Sequence, residues 1–212
     1  MKKNSPFMVI QDQKITIHPK LKSTFNFLKE IEKEITEILY LKNKAPRSVF
    51  IALFSYLETL RCIHTAYHEK TSNEEKLKNA SNKKMKEFIN KYVLNVNNEW
   101  VENNQSRYKK INTKEFVNLR NYLVHFFSVH GKIGIVSSYN DKAKNLEKEA
   151  KGKYNALDPT DLHKMIESAA IIILKEWDED CRKSIRNKDK KFQDRITCVK
   201  NVISEYGCVS CK

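Results

Sequence analysis

The chain has 212 residues, with 40 Lys or Arg against 26 Asp or Glu, so its formal net charge is +14. The length suits one domain with a sizeable core, and only four Gly and four Pro are present, which favours helices. Such a charge attracts polyanions, and nucleic acid is the first candidate. A lysine-rich, solvated surface is the alternative explanation for the same charge.

The cysteine pattern and the lengths of the apolar runs both favour a cytoplasmic location. The five cysteines are odd in number and irregularly spaced, which is not typical of a secreted disulfide framework and favours a reducing cytosol. The N-terminal apolar run, 7–10, is too short for a signal peptide, and the longest later run, 169–174, is too short to cross a bilayer. We therefore expect a cytoplasmic protein without a membrane partner.

The chain begins with an arm, residues 1–18, in which 7–17 have the extended character of a small hairpin. Pro19 then precedes an amphipathic helix near 20–42. Its apolar positions recur at helical spacing: Leu21, Phe25, Leu28, Ile31, Ile35 and Ile38.

The next helix, near 46–68, is apolar on most of its sides, and such a helix is typical of the centre of a bundle. Glu58 is the exception, because a carboxylate among apolar residues needs a partner. The alternative is that Glu58 lies on a partly exposed face.

Residues 71–102 are polar and lysine-rich, which predicts one or two surface helices, and the Asn-rich stretch 95–105 predicts a linker.

Residues 113–131 are predicted to form one helix, with Thr113 as its N-cap and Gly131 just past its end. Arg120 falls inside the apolar stripe of this helix, where a long cation needs either an anionic partner or a role in a binding or catalytic site. His125 follows Asn121 by one turn, so these two side chains are expected to share a face.

Three segments complete the chain. Residues 132–157 are predicted to be a loop-rich insert, and Pro159 opens a helix to about residue 182. Residues 183–212 form a basic C-terminal extension with a further helix ending at Gly207. The whole chain, 1–212, is therefore predicted to be a single all-α domain, a bundle of five or six helices.

The string Arg120-Asn121-x-x-x-His125 resembles the motif of HEPN domains, which are all-helical and include many metal-independent RNases of toxin–antitoxin, abortive-infection and CRISPR systems. The resemblance implies a HEPN-like bundle and an endoribonuclease whose catalytic residues are Arg120, Asn121 and His125, with Glu58 in support as the ion-pair partner of Arg120. RNA supplies its own nucleophile, the 2′-hydroxyl, so no metal or cofactor is expected. Histidine suits proton transfer at neutral pH, and arginine matches phosphate oxygens.

Arg120 and His125 are five residues apart, about 140° around a straight helix, so one helix does not aim both at one phosphate. HEPN domains usually dimerise so that two motifs face one cleft, and the resemblance therefore implies a homodimer with a composite site. The alternative is a non-catalytic HEPN module that binds nucleic acid or a partner protein, such as a nucleotidyltransferase antitoxin.

Other chemistries have weaker patterns. Cys208-x-x-Cys211 lacks a second paired ligand set for zinc, and His64 and His68 share a helix face but are more typical of a satisfied interface pair than of metal ligands. His130 is a second candidate for proton transfer, at the end of the motif helix.

Overall fold

The structure is a computed structural model that describes residues 17–73, 77, 82–94, 113–126, 133–137, 155–186 and 191–207. Within these ranges the chain forms six α-helices, which confirms the predicted all-α class. The helices are α1 (Lys22–Leu39), α2 (Pro46–Glu69), α3 (Asn82–Ile89), α4 (Thr113–Phe126), α5 (Pro159–Arg186) and α6 (Lys191–Gly207).

Two short strands accompany the helices. Strand β1 (Ile133–Ile135) pairs in parallel with β2 (Asn155–Leu157), with Ile133 opposite Asn155 and Ile135 opposite Leu157. They lie inside the predicted loop-rich insert, 132–157, for which no strands were predicted. The buried Ile133 and Leu157 join this pair to the core. The predicted N-terminal hairpin at 7–17 lies outside the described residues except for its last position.

Helix α2 is the centre of the bundle, as its apolar composition predicts. It packs against α1, α4, α5 and α6, and its Phe50, Leu53 and Leu60 are fully buried. By length and composition alone α2 could cross a membrane, but 67% of its apolar window is buried inside the bundle. The apolar character of α2 is therefore explained by its place in the core.

Helix α5 spans the bundle and continues to Arg186, four residues past the predicted end. Its start is fixed by Asp158, whose Oδ1 accepts a hydrogen bond from the Asp161 backbone N–H at 2.9 Å. In the core, the ring of Trp177 stacks on that of Tyr67, with centroids 4.3 Å apart. This contact fixes α5 against α2.

Helix α6 belongs to the core, although the basic composition of residues 183–212 indicated an extension. Its Phe192, Ile196, Val199 and Val202 are buried, and the helix packs chiefly against α2. These four residues recur at helical spacing, and the positive charges of the segment obscured that pattern.

The segment at 82–94 is also more deeply packed than a surface helix. Phe88 and Ile89 of α3 are buried, as are Tyr92 and Val93 in the π-helical turn that follows at Asn90–Leu94. This turn packs against α5, so the lysine-rich region is anchored to the bundle by its apolar residues.

Candidate functional site

One side of α2 carries polar and charged residues, and it contacts the segment at 82–94 through His64 and α4 through Glu58. Each of these residues has another three or four positions away, so together they form a stripe: Glu58, Arg61, His64, Thr65 and His68. The stripe connects two features, an ion-pair cluster at Glu58 and a cavity at His64.

Arg61 is buried, with 2% of its surface exposed, and it is held by fixed acceptors. Its Nε and Nη2 donate to Glu58 Oε1 at 3.1 and 2.5 Å, and Nη2 also donates to the Leu77 carbonyl at 2.8 Å. A buried guanidinium requires such a counter-charge. Arg61 was not among the site residues predicted from the sequence, although a cation three residues after a carboxylate on an apolar helix indicates such a pair.

Arg120 of α4 contacts the same carboxylate, so the predicted pairing of Arg120 with Glu58 is present. The contact is longer, however, with 3.7 Å between Arg120 Nη2 and Glu58 Oε2. Arg120 Nη1 donates to Asn121 Oδ1 at 2.9 Å, and the side chain is 22% exposed. Glu58 therefore holds Arg61 tightly and Arg120 loosely.

The charges of this cluster do not cancel. Among the described residues, two guanidinium groups, Arg61 and Arg120, face the single carboxylate of Glu58, an excess of one positive charge at a half-buried position. Arg120 makes one hydrogen bond among the described residues, whereas a guanidinium carries five N–H donors. Its Nε is buried, so an anion would reach Arg120 through the terminal nitrogens.

The remaining residues of the motif are placed only by the backbone. His125 belongs to α4, one turn after Asn121, but its side chain lies outside the described residues, as does the whole of His130. Cys208 and Cys211 also lie outside them. The spatial relation of Arg120 to His125 thus stays a prediction from helix geometry.

A cavity of about 320 Å³ adjoins Arg61, between α2 and the segment at 82–94. Three cations and two histidines line it, together with two glutamates and apolar or hydroxyl groups: Arg61, Lys84, Lys91, His64, His68, Glu69, Glu87, Thr65, Phe88 and Tyr92. Sequence analysis selected His64 and His68 in this set.

A chain of hydrogen bonds crosses one wall of this cavity. His64 Nε2 and Tyr92 Oη are 2.9 Å apart, the Tyr92 hydroxyl donates to Glu176 Oε2 at 2.8 Å, and Lys91 Nζ donates to Tyr92 Oη at 2.7 Å. Burial, followed by the charges of His68 and Lys91, lowers the pKa of His64 to about 3. His64 is therefore a neutral, hydrogen-bonded residue at physiological pH, as expected for a satisfied interface histidine.

The same wall has donors for a metal ion, because ligand atoms of His64, His68 and Glu176 lie within 4.8 Å of one another. The surrounding charges oppose a cation, since Lys91 is 3.4 Å from Glu176 and Arg61 lines the same cavity. The cavity is therefore better suited to an anionic or polar ligand than to a metal.

The described residues thus bring together Glu58, Arg61, Arg120 and Asn121, next to a cavity with a basic wall. No protein-family model, curated protein or solved structure matches this chain.

Proposed function

We propose that this protein is a metal-independent endoribonuclease of the HEPN type, acting as a toxin or as an effector of anti-phage defence by abortive infection. One observation carries the proposal: Glu58 neutralises Arg61, so Arg120 keeps terminal N–H donors and partial exposure at a positively charged site. A structural arginine would be expected to have its charge fully matched, as Arg61 has.

Arg120 is proposed to bind the scissile phosphate. Its fork of N–H groups complements two phosphate oxygens and stabilises the charge that develops on them. Asn121 accepts a hydrogen bond from Arg120 Nη1, which orients the guanidinium and leaves the Asn121 amide NH₂ available as a donor. Glu58 positions the site, because its ion pairs with Arg61 and Arg120 limit the movement of both side chains.

His125 is proposed to transfer the proton. The ribose 2′-hydroxyl attacks the adjacent phosphorus, the bond to the 5′-oxygen breaks, and a 2′,3′-cyclic phosphate forms. One general base must take the hydroxyl proton, and one general acid must give a proton to the leaving oxygen. His125 takes one of these two roles, general base or general acid, and His125 of the second subunit of a homodimer is available for the other.

The product ends test the reaction type. Cleavage of a labelled RNA should persist in EDTA and leave a 2′,3′-cyclic phosphate or its 3′-phosphate. His125→Ala should lower the rate roughly 10²-fold or more. Arg182→Ala, which removes an exposed arginine from α5, is the matched control for purification and folding. Metal-dependent cleavage that leaves 5′-phosphates would refute the mechanism.

Mixing tests the composite homodimer. Equal amounts of wild type and His125→Ala should lose more activity than dilution accounts for, because a mixed dimer lacks half of the site. A fully active monomer, shown by light scattering at the assay concentration, would refute the composite site.

A non-catalytic HEPN module that binds RNA or an antitoxin-like partner protein is the second candidate. The buried Nε of Arg120 and its contact with Glu58 favour it, because they turn part of the guanidinium inward. This candidate predicts RNA or partner binding that Arg120→Ala weakens, with no cleavage by the wild type.

A further inference from the structure

A second polar cluster lies inside the bundle, where α1 meets α5. Glu32, His163 and Glu167 are 2%, 1% and 5% exposed, respectively, and His163 Nε2 is hydrogen-bonded to Glu32 Oε1. His163 and Glu167 are four residues apart on α5, so they present one face to α1. Ligand atoms of all three side chains lie within 4.8 Å of one another.

This cluster is incompletely satisfied. Glu32 Oε2, Glu167 Oε1 and His163 Nδ1 are buried and have no hydrogen-bond partner in the described part of the chain. Buried polar atoms in native proteins are nearly always bonded to a protein group, a water or an ion. Three such atoms within one small cluster therefore indicate a bound species.

The charge of the cluster indicates the sign of that species. Two carboxylates and one imidazole lie together in a closed interior, with ligand atoms within 4.8 Å of one another. A divalent cation would balance both carboxylates and leave the imidazole neutral as a ligand. An anion would add to the charge that is already unfavourable there.

We propose that Glu32, His163 and Glu167 bind one divalent transition-metal ion that joins α1 to α5. Carboxylate oxygens and one imidazole nitrogen suit zinc and its first-row neighbours. Magnesium is disfavoured, because it retains several waters and this site is closed. The role is structural, and the site is separate from Arg120 and independent of the proposed nuclease activity.

Tyr56 of α2 lies beside this site. Its phenol is hydrogen-bonded to Glu32. This hydrogen bond would orient the Glu32 carboxylate toward the ion. The ion and Tyr56 together would connect three helices, α1, α2 and α5.

The ion would enter as the protein folds. A narrow cleft of about 20 Å³, lined in part by Leu28, Tyr56 and Ala170, lies one helical turn from Glu32 and Glu167. It holds about one water and is too small for a hydrated ion. Metal should therefore be slow to enter the folded protein and should bind readily during refolding.

The experiment uses the full chain, unfolded in guanidinium with a chelator, freed of chelator, and refolded with or without one equivalent of Zn²⁺ or Co²⁺. We expect about one ion per chain by mass spectrometry after gel filtration. With metal 100-fold above its Kd, Tm should rise by roughly 5–10 °C. Co²⁺ should give visible absorption bands of a site with nitrogen and oxygen ligands.

Matched variants locate the site. Glu167→Gln, which keeps the shape of the side chain, should bind metal at least 10-fold more weakly and lose the Tm rise. Glu179→Gln, an exposed change on the same helix, should behave as wild type. His68→Gln, which removes a ligand from the open cavity, should also retain metal.

Either of two results would overturn the proposal. Wild type refolded with Zn²⁺ or Co²⁺ that holds no ion would show that protons alone satisfy the cluster. Metal retained by Glu167→Gln and lost by His68→Gln would place the ion in the open cavity instead. Metal content of the wild type is independent of whether any variant folds.

Discussion

The Glu32–His163–Glu167 cluster and the arginine cluster at Glu58 lie on different sides of α2 and differ in how their charges are balanced. Tyr56, beside the Glu32–His163–Glu167 cluster, and Glu58, in the arginine cluster, are two residues apart, about 200° around the helix. The first cluster is closed and contains buried acceptor atoms that have no partner among the described residues, whereas the second is partly open and pairs two arginines with one carboxylate. A closed cluster can only affect the stability of the fold, whereas an open cluster is accessible to a ligand. We therefore expect substitutions at the first cluster to change stability and substitutions at the second to change binding or activity.

The largest expected effect is on stability, at the closed cluster. His163→Ala removes the hydrogen-bond partner of the buried Glu32 carboxylate and leaves a cavity, and it should lower the free energy of unfolding by about 3–5 kcal/mol. Urea denaturation followed by circular dichroism measures it. His68→Ala, at an exposed histidine of α2, should change it by less than about 1 kcal/mol. Equal effects of the two substitutions would remove the distinction between the clusters.

The next effect is on activity, at the open cluster. Arg120→Ala should lower the rate of RNA cleavage by roughly 10²-fold, corresponding to about 2.7 kcal/mol of transition-state stabilisation. The free energy of unfolding should change by no more than about 1 kcal/mol, because Glu58 keeps its pairing with Arg61. Unchanged cleavage together with a large loss of stability would make Arg120 a structural residue.

A smaller effect is expected on the stability of the protein at acidic pH, and it comes from His64 on the cavity wall. Its folded-state pKa of about 3 lies below the unfolded value near 6.5, because the folded protein holds the imidazole neutral. The stability contributed by neutral His64 is thus fully present above pH 6.5 and is lost as pH falls toward 3. Between pH 7.5 and 5 the loss should be about 2 kcal/mol.

His64→Gln isolates that contribution, since glutamine can still bond to Tyr92 but does not titrate. Denaturation of the variant and the wild type at a series of pH values gives the difference. Parallel pH profiles would show that His64 titrates normally in the folded protein.

The smallest effect is on the salt dependence of RNA binding. If Arg120 contacts a phosphate, Arg120→Ala should reduce the slope of log K against log salt by about one unit. Filter binding with a non-cleaved 2′-deoxy analogue at the attacked position measures the slope. Arg182→Ala should leave it unchanged, and an unchanged slope for both variants would exclude a phosphate contact by Arg120.

The helices were largely predictable from the sequence, because apolar residues recur at 3.6-residue spacing in α1, α2 and α5. The contact of Glu58 with Arg120 was predictable for a related reason, since each is a charge among apolar positions. Glu32 also lies among apolar positions, between Leu28 and Ile35 on the buried face of α1. The same reasoning would have identified it as a second buried charge, but it was not used there.

The partners of Glu32 were harder to predict. His163 is 131 positions away along the chain, and no periodic pattern specifies which helix faces which. The place of α6 in the core was missed for another reason. The net charge of a segment reflects its exposed residues, whereas the burial of α6 depends on its apolar stripe, Phe192, Ile196 and Val199. Roles at Arg120, Asn121 and His125 depend on chemistry with RNA, so they stay predictions.

The packing of α6 on α2 has a consequence for synthesis. The ribosome completes α2 long before it reaches Val202, and at about 5–20 residues per second this interval is on the order of 10 s. Throughout that time a helix apolar enough to cross a membrane lacks its largest packing partner. The nascent chain is therefore expected to be a client of chaperones that cover apolar segments. Slowing translation between α2 and α6 should increase its aggregation.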